Sequence, residues 1–165
     1  MSDFRFDSAF VLEADEPGPE HAELALLLNE LYVAESRSIF RYLENWQPYT
    51  DARTIGLRRL ARRIAKASFD HADRLAHLIE DTLGGVTEPG AYEKTAADAN
   101  YTSWANLLPR LLHEKRRMIV RYNAVMTQMA GLPGADLVRD ELLRLSSENQ
   151  EHLAGLETWE RTLGA

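Results

Sequence analysis

His71 stands inside the stretch Ser68-Phe69-Asp70-His71-Ala72-Asp73-Arg74-Leu75. Around it Leu57, Leu60, Ile64, Ala67, Leu75 and Leu78 recur at spacings of three and four. That period predicts a helix over residues 52–83 with His71 on its apolar stripe and Ser68 one turn before it on the same face. A single such His is ordinarily a core histidine with a hydrogen-bond partner, but three further stripes also carry polar groups. Glu35 lies on the line of Leu24, Leu28, Leu31, Ile39 and Tyr42. Glu114 lies on the line of Leu107, Leu111, Met118, Val125 and Met129. Asn149 and His152 lie on the line of Val138, Leu142, Leu145, Leu156, Trp159 and Leu163. Glu35 and His71 are 36 residues apart, and Glu114 and His152 are 38 apart. Each interval fits a helix, a turn and an antiparallel return, so the two members of a pair can meet at one level. Two buried carboxylates without partners would titrate upward or cost several kcal/mol apiece. Two carboxylates with two neutral imidazoles would match one divalent cation, and that donor mixture suits iron, manganese or zinc rather than calcium. The competing expectation is that Glu35–His and Glu114–His contacts are plain buried hydrogen bonds in a metal-free core.

Four long segments must position these groups. The first helix is expected from about Glu20 to Asn45, ending at the turn Gln47-Pro48-Tyr49-Thr50-Asp51, where Thr50 or Asp51 can cap the second. Gly84-Gly85 closes the second helix. Residues 84–101, with Pro89-Gly90 and a small polar run, form a long connection of the kind that crosses a structure or serves function. A third helix is expected over 102–130, with a bend near Pro109. After Gly131-Leu132-Pro133-Gly134 comes a fourth over 135–163. Short first and third connections and a long middle one describe an all-α four-helix bundle, two antiparallel helix pairs joined by a crossover. Residues 1–19, with Phe4, Phe6, Phe10, Val11 and Leu12, are expected to be a strap or tail outside the bundle of residues 20–163.

Glu35-Ser36 with Tyr42 seven residues on, then His71-Ala72-Asp73-Arg74-Leu75, resembles the first half of rubrerythrins and bacterioferritins. His152 with Leu156-Glu157-Thr158 resembles the last helix of bacterioferritins. The chain is thus similar to the ferritin-like superfamily, whose members hold two metals between four helices. The resemblance implies that Glu35, His71, Glu114 and His152 stand at terminal-ligand positions and that Tyr42 lies near the metals. It also implies a homo-oligomer, most simply a dimer, for which Trp46, Tyr49, Trp104 and Trp159 are candidate contact aromatics. The pattern departs from the family where Ser68 and Asn149 replace both bridging glutamates. Two neighbouring cations need such bridges to offset their repulsion. Phe69 stands where a bacterioferritin has its haem-ligating Met, so no haem is expected. Glu30, Asp70, Asp73, Glu148 and Glu151 are expected on solvated or salt-bridged flanks.

Composition limits the function classes. The 165 residues suit one domain with a real core. Hydrophobic residues make up 45% and charged ones 27%, a globular balance. A net charge of −7 argues against a duplex nucleic acid or an anionic membrane as partner. The absence of cysteine excludes disulfides, thiolate zinc sites and cysteine-held iron–sulfur clusters. No apolar run is long enough to span a membrane, and Met1 to Pro19 does not read as a signal peptide, so a soluble cytoplasmic protein is expected. The basic run Arg58, Arg59, Arg62, Arg63 and Lys66 is expected on a solvated face. Two functions remain open. One is a ferritin-like protein holding one iron, manganese or zinc ion, with redox or oxygen chemistry within its reach. The other is a metal-free bundle acting as a structural or interaction module.

Overall fold

The computed structural model describes residues 20–43, 46–90 and 102–164. The expected strap of residues 1–19 and the small polar run before the third long helix lie outside them. The described chain is all-α: α1 (Ala22–Ser36), α2 (Ile39–Tyr42), α3 (Ile55–His77) continued by a π-helical turn (Leu78–Thr82), α4 (Trp104–Gln128) and α5 (Ala135–Gly164). No helix in it is long and apolar enough to cross a membrane.

The first expected helix is broken. Arg37 and Ser38 leave the helical path, and the Ser38 hydroxyl accepts from the Phe40 backbone N–H at 3.2 Å, capping α2. The break lets both Glu35 and Phe40 reach the interior, each 0% exposed. α3 begins after a turn closed by Asp51, whose carboxylate accepts from the Thr54 N–H at 2.9 Å. Ser103 caps α4 by accepting from the Asn106 N–H at 3.2 Å, and the helix runs unbroken through Pro109. Gly131 and Gly134 take positive φ (87° and 79°) in the turn to α5, backbone that side-chain-bearing residues rarely adopt.

Chain direction follows from side contacts. After α3, Gly85 lies against Ala25, the Glu88 N–H donates to Asn29, Gly90 lies against Val33, and Arg37 donates to the carbonyls of Pro89 and Gly90. The connection therefore runs beside α1 in the direction of α1, returning the chain to the end where Tyr49 bridges Ser103. α1 packs on α3 and α4, and α5 packs on α3 and α4, so the four long helices close a ring of neighbours. The return path makes every neighbouring pair antiparallel.

The interior contains two apolar clusters. One gathers Leu24, Leu28, Leu31, Leu75, Ile79, Met118, Tyr122, Val138, Leu142 and Leu145; the other gathers Phe40, Leu57, Ile64, Trp104, Leu107, Leu111 and Leu156. Trp46 and Trp104 belong to the second cluster, so they pack the core and are not free contact aromatics. Trp104 also donates to the Thr50 hydroxyl at 2.9 Å. Trp159 covers Gly56, and Tyr49 stays exposed. Between the two clusters lies a layer of buried polar side chains: Glu35, Ser68, His71, Lys115 and Asn149.

Candidate functional site

Glu35 comes from the last turn of α1 and is 0% exposed. Its Oε1 accepts three hydrogen bonds: from His71 Nδ1 at 3.1 Å, the Tyr122 hydroxyl at 3.2 Å and Asn149 Nδ2 at 3.0 Å. Its Oε2 is buried with no partner among the described residues. Burial pushes the Glu35 carboxyl up. The His71 hydrogen bond, the nearby Lys115 and His71 charges and the Asn149 bond more than reverse this and hold it at about 2. Glu35 is therefore ionised at neutral pH.

His71 is fully buried on α3 and faces a carboxylate at each ring nitrogen, with Nε2 at 2.9 Å from Glu148 Oε2. Carboxylates only accept, so each ring nitrogen faces an acceptor and the ring bridges the two carboxylates. Burial raises the Glu148 carboxyl, but the bonds from His71 and Arg74 outweigh it and the group is lowered. Arg74 Nη1 donates to Glu148 at 3.0 Å, and its Nε pairs with Glu141. Acidic and basic side chains thus alternate along Glu35, His71, Glu148, Arg74 and Glu141, from the bundle's waist to its surface.

Lys115 brings a second interior cation from α4. It is 1% exposed, donates from Nζ to Asn149 Oδ1 at 2.6 Å, and lies 4.9 Å above the Phe40 ring. Burial lowers its pKa against the raising effect of Glu35 and Glu114. Asn149 ties the layer together. Its amide oxygen accepts from Lys115, and its nitrogen donates to Glu35 and to the Leu145 carbonyl at 3.2 Å.

The structure brings Glu35, His71 and Asn149 into one network, with His152 beside it. The His152 ring stacks on His71 at 6.1 Å, and its Nδ1 is buried with no partner among the described residues. Burial, with the Lys115 and His71 charges, lowers it to about 4, so it is neutral. Ser68 is fully buried and its hydroxyl has no partner among the described residues. Glu114 lies at the rim instead, 24% exposed and 3.7 Å from Arg117 of its own helix. The interior place expected of it is taken by Lys115. Tyr42 stacks on Trp46 at 6.0 Å and bonds to no member of the layer among the described residues. Glu148, expected on a salt-bridged flank, is bonded both to Arg74 and to His71.

Lys115 and Tyr122 were not foreseen as site residues. The signal was present: positions 111, 115, 118, 122, 125 and 129 keep the helical period through both.

As arranged, this donor set does not fit a divalent ion. Both nitrogens of His71 are engaged by carboxylates, an ammonium group sits inside the set, and Glu114 is turned away. Among the described residues no three His, Asp or Glu side chains converge as ligands. No protein-family model matches the chain, nor does any curated protein or solved structure.

Proposed function

We propose that this chain is a ferritin-like bundle in which an internal salt-bridge layer stands where the superfamily holds metals, and that it serves as a structural or interaction module. The observation that carries this is Lys115. An ammonium buried beside an ionised Glu35, with the His71 ring bonded to a carboxylate at each nitrogen, already meets the needs of the buried carboxylate. A divalent ion added to that set would meet the Lys115 ammonium in a low-dielectric interior. The up-down-down-up course of the four long helices and the crossover beside α1 support the ferritin-like assignment. A bundle, however, hosts many functions, so the site decides.

A second reading is favoured by the buried atoms Glu35 Oε2, Ser68 Oγ and His152 Nδ1, which have no partner among the described residues. With Lys115 deprotonated, Glu35 and His152 could hold one ion. Anaerobic titration with ferrous, manganous and zinc ions, followed by desalting and elemental analysis, separates the two. The metal-free reading expects no retained ion and an unchanged melting temperature. One retained ion per chain that is lost in both Glu35→Ala and His152→Ala would favour the second reading.

A further inference from the structure

The outer face of α3, opposite its buried stripe, is polar and divided by sign. Its first half carries Arg58, Arg59, Arg62, Arg63 and Lys66. Its second half and the following π turn carry Asp70, Asp73, Glu80 and Asp81. At about 100° per residue all nine share one side of the helix. Apart from the half-buried Arg58, each is exposed.

The basic half is unfavourable within a single chain. Arg58 and Arg62, Arg59 and Arg63, and Arg62 and Lys66 are like charges four residues apart, which destabilise a helix. They lie towards the positive end of the helix dipole, and the first turn has no acid to offset it. Among the described residues none of the five side chains has an ion-pair, hydrogen-bond or ring partner. The opposite charges lie on the same face, farther along the helix, and among the described residues none of them forms an ion pair with these cations, Asp70 one turn beyond Lys66 included.

We infer that α3 is the face through which two copies of this chain pair, antiparallel, about a two-fold axis near Asp70. In that arrangement Arg59 stands opposite Glu80 and Asp81 of the second copy, and Lys66 stands opposite its Asp73, with each contact repeated by symmetry. The two α3 dipoles also oppose one another. The face offers no apolar core, so the dimer is weak and its attraction is screened by salt. The inference concerns the surface alone and stands whichever reading of the interior is correct.

Sedimentation velocity on the full chain tests it, at about 20 mM and about 500 mM sodium chloride, where screening lengths differ several-fold. The wild type is expected to be dimeric in low salt and monomeric in high salt. Arg59→Glu with Arg63→Glu cancels most of the charge of the basic half, and Asp73→Lys with Glu80→Lys cancels that of the acidic half. Each double variant is expected to be a monomer in low salt, with wild-type circular dichroism because the sites are exposed. An equimolar mixture of the two is expected to form a heterodimer. A wild type that stays monomeric in low salt overturns the inference, as does a dimer indifferent to the reversals or a mixture that does not associate. Binding of a short DNA duplex by a wild type that remains monomeric would instead assign the basic half to a polyanion, and would also overturn it.

Discussion

The Glu35 carboxylate concentrates the chemistry of this molecule in one group. It is fully buried and held at about 2 against its usual 4.5, so between those values the folded chain binds fewer protons than the unfolded one. The stability this confers is complete above pH 4.5 and is lost as the pH falls towards 2. A shift of that size corresponds to about 3 kcal/mol. Urea unfolding measured across this range should show the decline in the wild type. Glu35→Gln should flatten it while lowering stability at pH 7 by roughly 3 kcal/mol, because His71 and Lys115 then lack their counter-charge. His152 acts over a higher window: its folded value of about 4 lies below the ordinary 6.5, so protonation between these values also favours the unfolded chain.

At the scale of elements, α5 is anchored on α3 by the Trp159 ring, which rests directly on the α-carbon of Gly56. A methyl group there would overlap the ring, so Gly56→Ala should destabilise by about 1–3 kcal/mol despite removing a helix-weakening glycine. Thermal unfolding of Gly56→Ala with and without Trp159→Leu should show the second change relieving the first. Much of the element plan was legible in sequence, because apolar stripes of period 3.6 persist over α3, α4 and α5 and glycine or proline marks their ends. The break at Arg37 and Ser38 was not legible. Neither residue forbids helix, and the break is set by the Ser38 cap together with the burial of Phe40. Glu114 was misplaced for a geometric reason. Seven residues fall about 20° short of two full turns, so Glu114 lies beyond Leu107 at the edge of that stripe and away from the axis of the core. The true stripe steps from Leu111 to Lys115, and a lysine there is read as surface because lysines are almost never fully buried.

At the scale of the whole molecule, the polar layer divides the interior into two apolar clusters. Any slippage of one helix pair against the other would leave Glu35 or Lys115 buried without its partner. The layer therefore specifies alignment at a cost in desolvation. Replacing it wholesale, as Glu35→Leu, His71→Leu, Lys115→Met and Asn149→Leu together, should yield a chain at least as stable at pH 7. Its stability should also be much less sensitive to acid, since Glu148 keeps Arg74. The loss is expected in uniqueness, visible as broadened amide resonances or dye binding to loosened apolar surface.

The span of the Glu35 network across the chain bears on the order of folding events. His71 belongs to the same helix pair as Glu35, but Tyr122 and Asn149 belong to the other, 87 and 114 residues away. Each pair can form from local contacts, whereas Glu35 and Lys115 shed their water only when the pairs dock, and closing so long a loop comes late. Interactions made after the barrier act on escape from the native state. In stopped-flow chevrons at pH 7, Glu35→Gln and Lys115→Met should steepen the rate of unfolding and leave the refolding rate nearly unchanged. A matching loss in the refolding limb would place the charged waist in the nucleus. The network would then limit how quickly the chain folds as well as how long the native state persists.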